Sequence, residues 1–404
     1  MRLKGCASIA DLATQARRRA PAFVWSYLYN GAGEDAGLIR NEAAFGEILF
    51  RAKRLAGCVK STGTELFGVH YDQPFGIAPV GMCNLVWPQS DRALAELGKA
   101  KNIPYVLSTA GTAAIEDAAK WAEDRLWFQL YISREDRITV DLLRRAWEVG
   151  VRVLVFTVDV PGPARRNAAL RSGFTTALTW RLIVNVPMAV DLAMHPAWSL
   201  STLRNGTPSL GNFKPYGTGL NQSIAQVSRG TGLSWDDLKR VRELWQGKLV
   251  IKGILEPDDA VRMLREGVDG IWISNHGGRQ LEASPATIDV LEPVRAAIGT
   301  NVPLIIDSGV RSGEDVMKAI ALGADFVFCG RAFMYGAAAF GSAGIRTAYD
   351  ILAAEVFACL MQTGCPSTDD MDVSFVLKRP GAAQAHLITD PMPAERRLKP
   401  SAAE

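Results

Sequence analysis

Between residues 75 and 330 the chain repeats one unit: a short apolar run rich in β-branched residues, a polar turn, then a stretch of alanine, leucine and charge at helical spacing. Eight runs carry the pattern, at 75–80, 105–109, 126–131, 151–159, 248–253, 270–275, 302–308 and 326–330. The helical stretches fall at 91–101, 114–123, 140–149, 235–245, 257–266, 285–298 and 313–322, several opened by Ser, Asp or Pro, which cap or start a helix. Strands that are apolar throughout, alternating with helices, imply a parallel sheet covered on both faces. Eight such units fit a closed ring better than an open doubly wound sheet, so the predicted fold is α/β, a TIM (β/α)8 barrel.

Three segments stand outside the repeat. Residues 1–70 read as an N-terminal helical segment, with helices at 9–19, 22–30 and 41–48. Residues 160–234 form a long loop after strand 4, far longer than a crossover needs and rich in Ser, Thr, Asn, Gly and Pro, and an excursion of that kind reads as a functional lid. Residues 377–404, rich in Ala, Pro and charge, read as an extended or disordered tail, which leaves 1–376 as a single barrel domain.

A net charge of +3, spread along 404 residues, leaves no footprint for nucleic acid, so none is expected as a partner. The first residues carry basic side chains but no apolar stretch after them, so they do not read as a secretory signal. Six cysteines without Cys-x-x-Cys spacing favour reduced thiols and a cytoplasmic setting. The most apolar stretch, 182–194, is broken by Asn185, Pro187 and Asp191 and is shorter than the roughly 20 residues a spanning helix needs. It can still lie on a bilayer surface.

Catalytic groups of a barrel come from the C-terminal ends of several strands. Here those ends carry Ser108 and Thr109, Gln129 and Tyr131, Thr157 and Asp159, Lys252, Ser274 and His276, Asp307, then Gly330 and Arg331. Buried strands do not hold so many polar groups without partners, so a site is the better explanation. Of the four histidines, His276 leaves a strand end, followed by two glycines that allow close backbone approach and by Arg279, a bidentate ligand for a carboxylate. His195 reads as a packing residue of the lid, and His70 and His386 as solvated. Taken alone, His276 and Arg279 could equally be a satisfied histidine and a surface arginine at a turn. Lys252 alone could be a Schiff-base lysine in a lyase acting on a phosphorylated substrate. The glycines of 31–37 imitate a dinucleotide fingerprint, but their last spacing is one residue too long and no strand precedes them, so NAD is discarded.

The string Ser274-Asn-His-Gly-Gly-Arg-Gln280 resembles the signature of the FMN-dependent 2-hydroxy acid oxidase and dehydrogenase family, which includes glycolate oxidase, lactate oxidase and mandelate dehydrogenase. The resemblance extends, in order, through Tyr27-Leu-Tyr-Asn-Gly-Ala-Gly-Glu-Asp35, Ile77-Ala-Pro, Leu107-Ser-Thr, Phe128-Gln-Leu-Tyr131, Thr157-Val-Asp159, Val250-Ile-Lys-Gly253, Ile306-Asp-Ser-Gly-Val-Arg311 and Cys329-Gly-Arg331. Within the family the mandelate dehydrogenases are most similar, through 126–131 and His195-Pro-Ala-Trp-Ser-Leu200.

The resemblance implies FMN, no metal, and a small 2-hydroxy acid as substrate. His276 would be the general base, oriented by Asp159. Arg279, with Tyr27 and Arg166, would bind the substrate carboxylate, and Tyr131 its hydroxyl or carboxylate. Lys252 would stand by the N1–C2=O edge of the flavin, where a cation stabilises negative charge. Asp307, Gly309, Arg311, Gly330 and Arg331 would hold ribityl and phosphate. Ser108, Gln129 and Thr157 would meet the flavin ring, with Pro79, Val80 and Gly81 near it through backbone and Ser274 beside them. The relatives also imply a homo-oligomer, a tetramer or an octamer. Residues 179–198 would make peripheral membrane contact on the cytoplasmic face or pack as a lid.

Two departures from the family pattern stand out. Asn167, Ala169 and Ser172 replace the usual Glu, Asp and Asn after Arg166, and Glu282 stands where Asp is common, so the lid is expected to be anchored differently. Gly81 stands where short-chain oxidases carry alanine, and Ala110 where glycolate oxidase carries tryptophan, which predicts a larger pocket and a bulky or aromatic 2-hydroxy acid.

Overall fold

Every predicted strand forms, and the eight close on themselves in a computed structural model that describes residues 5–162, 164–171, 186–216 and 232–378. The barrel strands are β4 (Phe75–Ile77), β5 (Tyr105–Ser108), β6 (Leu126–Leu130), β7 (Val153–Thr157), β8 (Lys248–Ile254), β9 (Gly270–Ile273), β10 (Leu304–Ile306) and β11 (Phe326–Cys329). All neighbours are parallel, with β11 pairing back to β4 to close the ring. Three further strands precede the barrel and one follows it: β1 (Ile48–Phe50), β2 (Thr64–Leu66), β3 (Val69–Tyr71) and β12 (Val376–Lys378). The ribbon of β1 with β12 ties the N-terminal segment to the chain beyond the last barrel helix and takes in residues 377 and 378, which the sequence places in the tail. His386 and residues 172–185, 217–231 and 379–404 lie outside the described residues.

Alternation along each strand sorts the side chains into two cores. Val106, Trp127, Val155, Val250, Trp272, Ile305, Phe326 and Phe328 point inward and fill the barrel, with Trp272 stacked on Phe328 at 4.3 Å between ring centroids. The β2–β3 hairpin closes one end, contributing Leu66 and Tyr71 to the cluster and laying Phe67 against Trp127. A filled interior leaves ligands only the opposite mouth, where the strands end in polar residues.

Helix α1 (Ile9–Arg19) packs along the helix Arg331–Thr363, while α2 (Ala22–Tyr29), α3 (Ala36–Gly46) and the excursion border that mouth. The third helix begins five residues earlier than periodicity predicts, because the Gly31–Asp35 turn is tighter than its glycines alone reveal. Within the excursion, helices Val186–Met194 and Pro196–Asn205 pack back on the barrel. Trp198 is 3% exposed among Phe23, Val24 and Leu85, and its indole N–H donates to the Leu85 carbonyl at 3.1 Å. Among the described residues, no helix is long and apolar enough to cross a membrane.

Candidate active site

At the mouth, β7 ends one residue before Val158 and Asp159, and the Asp159 carboxylate accepts from His276 Nδ1 at 2.9 Å. Gly253, on β8, makes this possible: at φ +107°, a Cβ there would stand 2.5 Å from the Asp159 Cβ. His276 itself takes φ +58°, a left-handed conformation that a Cβ opposes, and its N–H is held by Ser274 Oγ at 3.0 Å. An ionised carboxylate only accepts, so the Nδ1 contact assigns the proton to Nδ1 and leaves Nε2 as the basic nitrogen. Tyr131 Oη approaches Nε2 at 3.4 Å. Burial pushes the Asp159 pKa up, but the imidazole of His276 and the ammonium of Lys252 outweigh it and hold the group below its ordinary value. Burial pushes the Tyr131 hydroxyl far above its ordinary range, so it stays a proton donor.

Lys252 is 4% exposed, and its ammonium contacts Asp307 Oδ2 at 2.9 Å and Ser274 Oγ at 2.7 Å. A buried charge needs such partners. Ser308, at φ +78°, donates to Asp307 Oδ1 at 2.7 Å and accepts from the Gly277 N–H at 2.9 Å, joining the lysine network to the histidine loop.

Three guanidinium groups converge beside the dyad. Arg279 Nη1 donates to the carbonyls of Tyr27 and Asn30, both at 2.8 Å, and lies over the Tyr27 ring. Arg331 donates to the Gly277 carbonyl at 2.9 Å and the Leu28 carbonyl at 3.2 Å. The carbonyls at the C-terminal end of α2 thus receive both cations, in keeping with the negative pole of a helix. Burial, then Arg166 and Arg331, depress the Arg279 pKa strongly, and burial takes Arg331 down to about 10. Among the described residues, no carboxylate pairs with Arg166, Arg279 or Arg331. Half-buried cations that repel one another and lack acids make a ready anion site.

The family profile of FMN-dependent dehydrogenases matches residues 16–378. The chain belongs to this family. The (S)-mandelate dehydrogenase of Pseudomonas putida is 35% identical over 373 residues, spanning 91% of this chain and 93% of that one. An L-lactate dehydrogenase of Xanthobacter autotrophicus is 36% identical over 377 residues, spanning 90% and 94%. The crystal structure of the monotopic membrane protein (S)-mandelate dehydrogenase superposes with a TM-score of 0.85 at 34% identity, covering 93% of this chain and 100% of that one.

The mouth fits the cofactor of an FMN-dependent dehydrogenase. Gln129 Nε2 and Thr157 Oγ1 are buried without a hydrogen-bond partner at the ends of adjacent strands, β6 and β7, and polar atoms so placed need a ligand. Ser108 Oγ donates to Gln129 Oε1 at 2.9 Å and so leaves the amide N–H2 as the group on offer. Gly309, at φ +94°, lies where a Cβ would meet the Asn41 carbonyl at 2.4 Å. Gly330 caps the helix Arg331–Thr363, whose first N–H groups suit a phosphate, with Arg311 nearby on Glu42 at 2.8 Å. Pro79, Val80 and Gly81 line the same rim, half-buried. The lyase alternative finds no support in this family, and the Asp307 contact keeps Lys252 paired rather than free to act as an amine.

The sequence assigns no site role to several residues that hold the mouth together. Ser308 is one, and Asn212, fully buried in the returning arm of the excursion, is another. Its amide donates to the carbonyls of Ser108 and Thr109, both at 3.2 Å, and accepts from the Ile115 N–H at 2.9 Å. Asp91 is a third, buried and accepting from the N–H groups of Thr112 and Ala113 at 2.8 and 3.0 Å. An Asn or Asp before a turn would flag each as a cap, but not which loop it braces. His195 is a lid residue, with Nδ1 3.2 Å from Asp191.

Proposed function

We propose that this FMN-dependent dehydrogenase oxidises (S)-2-hydroxy acids with a bulky or aromatic substituent to 2-keto acids, passing electrons to oxygen or a quinone-type acceptor. The observation that carries the choice of substrate is the pairing of Gly81 and Ala110. Tyr27 Oη donates to the Gly81 carbonyl at 2.8 Å, and the Met82 N–H donates to the Ala110 carbonyl at 2.9 Å, so two positions with almost no side chain adjoin beside Tyr27. An apolar pocket discriminates by roughly 1–3 kcal/mol per methylene, so room here matters. The (S)-mandelate dehydrogenase relative supports the same reading.

In this reading Arg279 and Arg166 clamp the substrate carboxylate, with the Tyr27 and Tyr131 hydroxyls beside it, which fixes the carbon bearing the hydroxyl. His276 Nε2 takes one proton from the hydroxy acid, and Asp159 stabilises the imidazolium that results. FMN, when bound, would take up the two electrons and the second proton that the alcohol gives up. Lys252 supplies positive charge at the flavin edge, and Ser108, Gln129, Thr157 and Ser274 fix the plane of the ring. Asp307, Gly309, Arg311, Gly330 and Arg331 would hold ribityl and phosphate, with the backbone of 79–81 near the ring.

The excursion would rest on the cytoplasmic face of a membrane through 179–198, and the protein would assemble as a homo-oligomer. Val190, Met194, Leu200 and Leu203, between 53% and 80% exposed, support an apolar contact on this side. Comparing kcat/KM for (S)-mandelate and glycolate tests the substrate. Mandelate is expected to win by more than about tenfold, and Ala110→Trp to cost mandelate about a hundredfold while sparing glycolate. Equal or better use of glycolate by the unmodified enzyme overturns it.

A further inference from the structure

The Gly31–Asp35 turn between α2 and α3 stands apart from the reacting groups yet touches two loops that carry them, the one after β9 with His276 and Arg279 and the start of the excursion with Arg166. Asp35 closes it, accepting from the Gly31 N–H at 2.6 Å and from Asn30 Nδ2 at 2.8 Å. On its inner side the Ala32 N–H donates to the Gly278 carbonyl at 2.8 Å, next to Arg279. On its outer side the Gly33 N–H donates to the Arg165 carbonyl at 3.0 Å, and Gly33 forms a parallel bridge with Arg166, where the excursion begins. Gly33 also makes room for the loop after β9, because a Cβ there would stand 1.9 Å from Glu282 Oε2. The Glu282 carboxylate occupies that space and accepts from the Glu34 and Ala36 N–H groups at 2.6 and 3.3 Å.

Among the described residues, Glu34 is the side chain of the turn that reaches the excursion. Its carboxylate accepts from Asn167 Nδ2 at 2.7 Å and takes a two-pronged contact from Arg171, with Nη1 at 3.0 Å and Nη2 at 2.6 Å. Both partners lie on the short helix Asn167–Arg171 that directly follows Arg166. Arg165 Nε donates to Asn167 Oδ1 at 3.1 Å and completes the cluster. A fork of this kind fixes direction as well as distance, which a single exposed ion pair does not.

We infer that Glu34 is a positioning residue for substrate binding: by gripping Asn167 and Arg171 it latches the opening of the excursion and keeps Arg166 in the anion site. The inference rests on the proposed role of Arg166 as a ligand of the substrate carboxylate. Among the described residues Arg166 Nε is buried without a hydrogen-bond partner, so the backbone that Glu34 holds on its C-terminal side bears directly on where the guanidinium stands.

The test uses the full-length holoenzyme and three readouts: steady-state kinetics with (S)-mandelate, equilibrium binding of the unreactive 2-keto acid followed by flavin absorbance, and hydrogen exchange of the 164–171 peptide. Glu34→Gln and Arg171→Glu should each raise KM and the keto-acid Kd about three- to tenfold, leave kcat within about twofold and speed exchange. The swap Glu34→Arg with Arg171→Glu should recover most of the lost affinity, which general loosening of a surface loop would not do. Wild-type KM, Kd and exchange in both single variants overturn the latch, as does a swap no better than the singles. Arg166→Met separates the two readings. If it raises KM while the Glu34 variants do not, the latch fails alone; if it leaves KM and Kd unchanged, the role of Arg166 fails.

Discussion

At the scale of single residues, the chemistry turns on which nitrogen of His276 is free, and Asp159 decides it. Asp159→Asn keeps the shape but removes the charge that stabilises imidazolium, so kcat should fall by roughly 10²- to 10⁴-fold with FMN still bound. Stopped-flow measurement of flavin reduction checks this. The same ion pair has a consequence for stability. The native pKa of Asp159 is held below its unfolded value of about 3.9, so the contribution is fully present above that pH and is lost as pH falls through the native value. Thermal melts of wild type and Asp159→Asn should therefore differ near neutrality and converge well below pH 4; a constant difference across that range contradicts the pairing. His276, Asp159, Arg279 and Lys252 are legible in the sequence because each follows or lies on an apolar run at the one end of the barrel where polar groups gather. Ser308 is not, because its place in the lysine network depends on a left-handed backbone and on loops that meet only after folding.

At the scale of elements, positions without side chains govern how strand ends and loops meet. Gly253→Ala puts a Cβ against Asp159 in a left-handed conformation, so it should cost about 1–3 kcal/mol of stability and lower kcat as well. Denaturant titration together with kinetics separates the two effects. Asn212 braces the loop after β5 through three hydrogen bonds, and Asn212→Ala should destabilise by about 1–3 kcal/mol and weaken FMN retention, measured by flavin release on dilution. Unchanged FMN retention would confine Asn212 to holding the excursion. The strands were readable because burial on both faces demands unbroken apolar runs, and their ends agree within a few residues. The hairpin that plugs the barrel and the helices 186–205 were not, because three-residue strands and two short helices broken by prolines have too little periodicity to detect.

Over the whole molecule, a barrel filled by aromatic side chains leaves one polar mouth, and among the described residues three half-buried guanidinium groups there lack acids. Without an anion this mouth is a source of repulsion, so extracting FMN should lower the melting temperature by several degrees and adding it back should restore the loss, as binding to the native state alone requires. The modest net charge of +3 fits a chain whose basic residues act locally, not as one broad field. The most direct test of the account is anaerobic addition of (S)-mandelate to the purified, flavin-loaded protein while the flavin absorbance is recorded. The account predicts bleaching with one equivalent of 2-keto acid formed, and a His276→Ala variant that stays yellow under the same treatment. Wild-type protein that binds FMN but is not bleached, or a His276→Ala variant bleached as fast as wild type, would contradict it.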